Sequence, residues 1–217
     1  MTRELFQQSI VKVQEDILSL GGQVEGALLR SVELLRNRDA QGAQELIQQD
    51  QVIDEQRYAI EAEVLTTVAT QAPIGSDMRA LAAALFISNE LERMADYCKG
   101  IARINLRIGD EPLLNPFVDI PHMAEIAHGM LHDSLRAYEM RDDAAAMNII
   151  PRDDELDKLY EQVYKALMID IMEDVSQIRQ ANLLLMVAHN LERIGDRTTN
   201  ICERVVYIAT GQFIEVD

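Results

Sequence analysis

Asn89-Glu-Leu-Glu-Arg-Met-Ala-Asp96 returns 100 positions later as His189-Asn-Leu-Glu-Arg-Ile-Gly-Asp196. Leu91, Glu92, Arg93, Asp96 and Ile101 are matched by Leu191, Glu192, Arg193, Asp196 and Ile201. On a helix of 3.6 residues per turn, Leu85, Asn89, Glu92 and Asp96 stand at i, i+4, i+7 and i+11 and form one stripe. Leu185, His189, Glu192 and Asp196 repeat it. A stripe that opens on a core leucine and continues into two carboxylates turns acidic groups toward a neighbouring helix, where an uncompensated charge is costly.

The repetition extends outward from these two segments. With an offset of 103, Ser31, Arg38, Asp39, Ala43, Ile47, Asp50 and Asp54 align with Ser134, Arg141, Asp142, Ala146, Ile150, Asp153 and Asp157. Three residues fewer between the middle and last helices of the second half change the offset to 100, so that Arg79 meets Arg179 and Leu85 meets Leu185. Two homologous halves explain this, residues 1–110 and 111–217, each a three-helix bundle. The expected fold is therefore all-α: two tandem pseudo-symmetric three-helix bundles, six long helices, sharing an interface.

The composition agrees. Aromatics are scarce, Trp is absent, and Ala, Leu, Met, Glu, Gln and Arg, all good helix formers, dominate. No apolar run approaches the ~20 residues of a membrane span, and no basic-then-apolar N-terminal segment marks a secretory signal, so a cytoplasmic protein without direct membrane insertion is expected. The formal net charge of −17 argues against nucleic acid and against bare anionic lipid, both of which are gripped by Lys and Arg clusters. It suits cations or a basic partner surface. Cys98 and Cys202 do not align in the repeat and read as reduced, semi-buried thiols rather than a disulfide.

Along the chain, Phe6, Ile10, Val13, Ile17, Leu20, Val24, Leu28 and Leu35 predict a long first helix, with Gly21-Gly22 allowing a bend or a close helix contact. Asp39 is placed as the N-cap of a second helix with the seam Leu46, Ile53, Ile60 and Val64. Ala72-Pro73-Ile-Gly75 ends it, and Ser76 or Asp77 is expected to cap the third. That helix runs to Gly109, ahead of a linker at 109–121. Pro121 falls in the first turn of a fourth helix, in which Met123, Ile126, Met130, Leu131 and Leu135 face inward. Asp142 or Asp143 caps a fifth, with the seam Ile149, Leu156, Val163 and Leu167 and a kink at Pro151. A sixth runs from about Gln177 to Ala209 and stops at Gly211. Met168 and Met172 read as ordinary core.

Within each half, two helices carry an acid-x-x-x-Asp pair: Asp50/Asp54 with Glu92/Asp96, then Asp153/Asp157 with Glu192/Asp196. An i, i+4 carboxylate pair repels itself on an isolated helix, so its repeated use beside the core calls for a counter-charge. Oxygen-rich clusters from antiparallel helices can cage metal cations, with magnesium, calcium, manganese or iron better suited than zinc. The competing reading is an ion-pair lattice in which Arg79, Arg93, Arg179 and Arg193 neutralise the acids.

These duplicated helices, the Asp-x-x-x-Asp pairs before them and Met130-Leu-His-Asp133 resemble the PhoU family of phosphate-uptake regulators over nearly the whole chain. The resemblance implies two symmetry-related three-helix bundles in a homodimer. It also implies a negative regulator of the phosphate-starvation response, acting as an adaptor on a phosphate-specific ABC transporter and on a sensor histidine kinase with its response regulator. It further implies multinuclear metal clusters at Glu/Asp-x-x-x-Asp motifs, matched here by Asp50, Asp54, Glu92, Asp96, Asp153, Asp157, Glu192 and Asp196. Iron, zinc, manganese, nickel or magnesium would serve. Asn89 stands where the second half has His189, so the two sites need not be alike.

The alternative is a carboxylate-bridged metal-storing or oxidising bundle. Glu125-Ile-Ala-His128 is a Glu-x-x-His pair of the di-iron type, but that chemistry needs two such motifs and the sequence has one. His128 and His132 stand at i, i+4 and read as solvated. No Gly-rich phosphate loop, nucleophile with a spaced His and acid, or kinase signature occurs, so no enzyme is expected.

Overall fold

The computed structural model describes residues 2–114 and 119–214, with side chains from Phe6 onward. Helix α1 (Thr2–Asn37), α2 (Ala40–Gln71) and α3 (Ser76–Ile108) form the first half. In the second, α4 (Asp119–Met140) is followed by α5 (Asp143–Ile149), a 3-10 turn (Ile150–Arg152), α6 (Asp153–Glu173), a second 3-10 turn (Val175–Gln177) and α7 (Ile178–Thr210). The described residues contain no strand.

The fifth predicted helix is thus divided at Pro151, which has no N–H to donate and sits in the first turn of the 3-10 segment. The break puts Asp153 at the head of α6, where Asp153, Asp154 and Glu155 all lie in the first turn. Acidic groups are favoured there by the helix dipole.

The apolar spacing of the sequence is realised almost residue for residue. Ile10, Val13, Ile17, Leu20, Val24, Leu28 and Leu35 of α1 are buried, as are Ile53, Ile60 and Val64 of α2 and the inward residues of α4 and α6. They belong to one apolar cluster that runs from Ile10 to Ile208 without a gap between the halves. Gly21 lets α1 approach α4 closely, because a Cβ there would stand 2.5 Å from Cδ1 of Leu135.

The duplication is visible in matching hydrogen bonds. At the end of α1, the N–H of Arg38 and of Asp39 donate to Leu35 O and Leu34 O, with Arg38 in the left-handed region at φ 55°. At the end of α4, Arg141 and Asp142 do the same to Tyr138 O and Ala137 O, with Arg141 at φ 53°. Both are Schellman closures. Asp39 and Asp142 then accept from Gly42 N–H and Ala145 N–H, each at 2.9 Å, and cap the next helix.

Helices α3 and α7 cross antiparallel at the centre, related by a pseudo-two-fold. Asn200 of α7 donates to Glu90 of α3 at 3.0 Å, and at the equivalent crossing a Cβ on Gly100 would stand 2.9 Å from Nδ2 of Asn190. Toward the helix ends, Arg79 lies against Gly211, beyond α7, while Arg179 donates to Arg107 O and pairs with Glu111, beyond α3. Each of these pairs is its counterpart with the halves exchanged.

Several expectations are corrected. Neither Ser76 nor Asp77 caps α3; Gly75, at φ 60°, holds the cap position without a side-chain bond, and both residues lie inside the helix. Met172 is 84% exposed rather than core, because it falls in the last turn of α6, past the buried Leu167. The two thiols are fully buried, not semi-buried. Of the expected linker, residues 115–118 lie outside the described residues. Its start is tied to α7, since Leu114 N–H donates to Gln180 and Gln180 donates to Pro112 O.

Candidate functional site

The eight predicted carboxylates fall into two groups, each formed across two packed helices. In the first half, α2 supplies Asp50 and Asp54, and α3 supplies Glu92 and Asp96. In the second, α6 supplies Asp153 and Asp157, and α7 supplies Glu192 and Asp196. The i, i+4 spacing keeps each pair on one helical face, and the antiparallel neighbour brings the second pair opposite the first.

The two groups are not equivalent. In the first half, Lys99 reaches from α3 across to α2, where its Nζ donates to Oδ2 of the buried Asp50 in a very short contact and to Oδ1 of Asp96 at 3.1 Å. The lysine is itself largely buried, and both carboxylates hold its pKa above the ordinary value. Nearby, Arg57 donates to Glu61 at 3.0 Å and to Asn89 Oδ1 at 3.3 Å. Glu92 is raised mainly by burial and then by Asp96 and Asp54, against the opposing pull of Arg57 and Arg93.

No lysine stands in the second group. Its repeat partner is Thr199, whose hydroxyl turns back to donate to Asp196 O at 2.7 Å. Arg57 is replaced by Tyr160 and Asn89 by His189. Burial first, and then repulsion from Asp196, Asp157 and Glu192, push the Asp153 carboxyl up to about 7. Asp157 is raised by desolvation and then by Asp196, Asp154 and Glu161, and Glu192 by burial and then by Asp196, against the opposing pull of His189 and Arg193. Oδ1 of Asp153 is buried with no hydrogen-bond partner. Glu192 Oε2 lies 3.2 Å from Nδ1 of His189 without the alignment of a hydrogen bond, so it too is unsatisfied.

Backbone shape favours this crowding. Gly195 takes the place of Ala95 in the repeat, and a Cβ on it would stand 2.4 Å from Asp153 Oδ1 and 2.6 Å from a methyl group of Leu156. Only the missing side chain lets the head of α6 settle onto α7. Across the site, Arg193 pairs with Asp196 at 2.5 Å and also hydrogen-bonds Tyr97 of α3.

Of the four arginines expected as an ion-pair lattice, Arg193 alone forms a direct pair with one of the eight acids. Arg79 and Arg179 sit at the far ends of α7 and α3, and Arg93 is exposed. The neutralising cation that sequence reasoning missed is Lys99. Its signals were the i, i+3 spacing to Asp96 and the Lys-to-Thr departure between the halves.

For a metal, the donor set is oxygen-rich, with His189 at its edge, and two of its buried oxygens lack partners. Such a set suits a hard or borderline divalent cation. Among the described residues, however, no three His, Cys, Asp or Glu side chains are already drawn together as a cage. Chelation in the second half therefore requires side-chain rotation by the exposed Asp157 and the half-buried Asp196. In the first half, Lys99 stands between the ligands. The di-iron alternative gains nothing, because Glu125 is exposed and pairs only loosely with His122, at 3.8 Å. His132 meets Glu25 at 3.1 Å and is half exposed.

A duplicated helical bundle with an acidic helix pair in each half defines the class of protein. The domain model described as PhoU matches residues 17–104 and again 120–205. The chain belongs to the PhoU family. It is similar to the phosphate-specific transport system accessory protein PhoU homologue of Clostridium acetobutylicum, 33% identical over 218 residues and covering the whole of both chains. The homologue of Zymomonas mobilis is 34% identical over 97% of this chain and 89% of its own. Two crystal structures superpose: PhoU of Streptococcus pneumoniae with a TM-score of 0.90 at 28% identity, covering 97% of this chain and all of the other, and PhoU of Pseudomonas aeruginosa with 0.91 at 26%, covering 95% and 100%. The described residues include no helix long and apolar enough to cross a membrane.

Proposed function

We propose that the protein is a cytoplasmic accessory regulator of phosphate uptake, which represses the phosphate-starvation response by docking on a phosphate-specific ABC transporter and its sensor histidine kinase. The observation that carries this reading is the end-to-end similarity, in sequence and fold, to phosphate-specific transport system accessory proteins. Large apolar side chains at the turn from α6 to α7, namely Ile169, Met172, Val175 and Ile178, are exposed and offer surface to a partner or to a second copy in a homodimer.

Deletion of the gene should derepress phosphate-starvation genes in phosphate-rich medium, and an intact copy should restore repression. Affinity capture from phosphate-replete cells should recover transporter and kinase peptides. Unchanged expression in the deletion strain would remove the regulatory reading and favour a storage role.

Within this function, a divalent cation is held by the second half. Asp153, Asp157, Glu192 and Asp196 would ligate it, with His189 as a further donor, and the cation would supply the positive charge that these carboxylates lack. It fixes α6 against α7 and so the shape of the neighbouring surface. Metal-stripped protein supplied with iron, manganese, zinc, nickel or magnesium should regain thermal stability with at least one of them. Stability that is indifferent to all five would exclude a structural cation.

A further inference from the structure

We infer that Lys99 is a tethered cation that takes the place of metal in the first half, so that the two halves of this chain differ in kind: the first is closed by a side chain and only the second needs an ion. The inference rests on the reading of the second half as a cation site.

The repeat makes the comparison internal to one molecule. Asp50, Asp54, Glu92 and Asp96 correspond to Asp153, Asp157, Glu192 and Asp196, so the acidic charge of the two groups is equal. Arg93 and Arg193 also correspond. What differs is the cation between the two helices: Lys99, which contacts Asp50 and Asp96, stands where the second half has Thr199. The side-chain cation that spans both helices of the first group is therefore missing from the second, where Arg193 pairs with Asp196 on its own helix and leaves Asp153 without a partner.

Geometry shows that the lysine does the bridging. Its ammonium contacts a carboxylate on each helix, Asp50 of α2 and Asp96 of α3, as a metal ion between them would. It is a compact charge with three donors on a flexible stem, able to satisfy several oxygens at once. Asp50 is buried, and its oxygens do not appear among the unsatisfied atoms, unlike those of Asp153 and Glu192. A second cation entering the first group would have to displace the ammonium and leave it close to its own charge.

The test uses full-length protein, stripped of metal and titrated with Mn2+, with free ion followed by electron paramagnetic resonance. Wild type should bind Mn2+ in one class of site, lost in Asp153→Asn/Glu192→Gln and kept in Glu92→Gln/Asp96→Asn. Lys99→Thr, which installs the residue of the second half, should add a second class, abolished when Glu92→Gln/Asp96→Asn is combined with it. The inference is overturned if wild type loses Mn2+ on Glu92→Gln/Asp96→Asn, or if Lys99→Thr gains none while the second-half class is intact. If neither protein binds Mn2+, the cation reading of the second half fails, and the lysine is judged by melting in EDTA. There Lys99→Met, which keeps the stem and removes the charge, should lower the midpoint by roughly 3–8 °C, and Asp50→Asn added to it should recover most of the loss. An unchanged midpoint in Lys99→Met overturns the role of Lys99 on its own.

Discussion

Asp153 shows how much one carboxyl can report about its surroundings. In the fold it keeps its proton up to about 7, whereas an unfolded chain releases it near 4. Between those values the folded state binds more protons, so the penalty of the charged carboxylate is absent in acid, grows as pH rises through this window, and is complete above it. Asp153→Asn, melted in EDTA, should therefore gain on wild type progressively from about pH 4 to pH 7.5 and no further. A saturating cation should reverse the order near pH 7.5, because the amide gives up a ligand. A difference between the two proteins that stays flat with pH would sink this account. The position of Asp153 was legible in the sequence because the repeat pairs it with Asp50. Its environment was not, since what separates the two is Lys99, whose partner Asp50 lies 49 positions away. Distance along the chain hides a pairing that only helix packing creates.

Single backbone positions decide how the helices meet. Gly195 is where α6 presses Asp153 and Leu156 onto α7, and no Cβ fits there without moving both. Gly195→Ala should cost about 1–3 kcal/mol by overpacking, in spite of the better helix propensity of alanine. It should also weaken cation binding to the second half by displacing Asp153. The reverse change in the first half, Ala95→Gly, should cost about 1–2 kcal/mol, the propensity difference together with one buried methyl group, and leave cation binding unaltered. Denaturant midpoints and Mn2+ titration of both variants check this, and Mn2+ binding that is unweakened in Gly195→Ala would show that Gly195 does not set the position of Asp153. Apart from the fifth helix, which is divided into α5 and α6, the order of the elements and their seams were readable because apolar residues recur at helical spacing and the pattern occurs twice. The start of α3 was not, because Ser76 and Asp77 are both good caps by type. Gly75, holding a backbone that other residues resist, takes the position first. Pro151 was readable as a disturbance, and its form, a 3-10 turn that makes Asp153 the first residue of a new helix, came only from the structure.

At the scale of the molecule, the crossing of α3 and α7 joins the halves. Glu90 is buried there, accepting from Arg197 at 3.3 Å and Asn200 at 3.0 Å, and its repeat partner is Asn190, so the pseudo-symmetry breaks where the charge is most enclosed. Removing one partner of such a group leaves the other buried without compensation, so Glu90→Ala should cost about 2–4 kcal/mol, and Glu90→Gln, which keeps an acceptor for Asn200, less. The effect on cooperativity is more telling than its size. Because the apolar cluster passes unbroken from α1 and α3 into α4 and α7, neither half can open without exposing core of the other. Equilibrium unfolding should therefore be a single transition, with far-ultraviolet circular dichroism and the near-ultraviolet tyrosine signal coinciding; the chain has no Trp to serve as a probe. Glu90→Ala, between the halves, and Asp153→Asn, wholly within the second, should both shift that one transition. EDTA should move it as a whole if the second half holds a cation. Two separated transitions, with EDTA acting on only one of them, would mean that the halves are stable independently and that the α3–α7 crossing is a contact between finished domains rather than part of a common core.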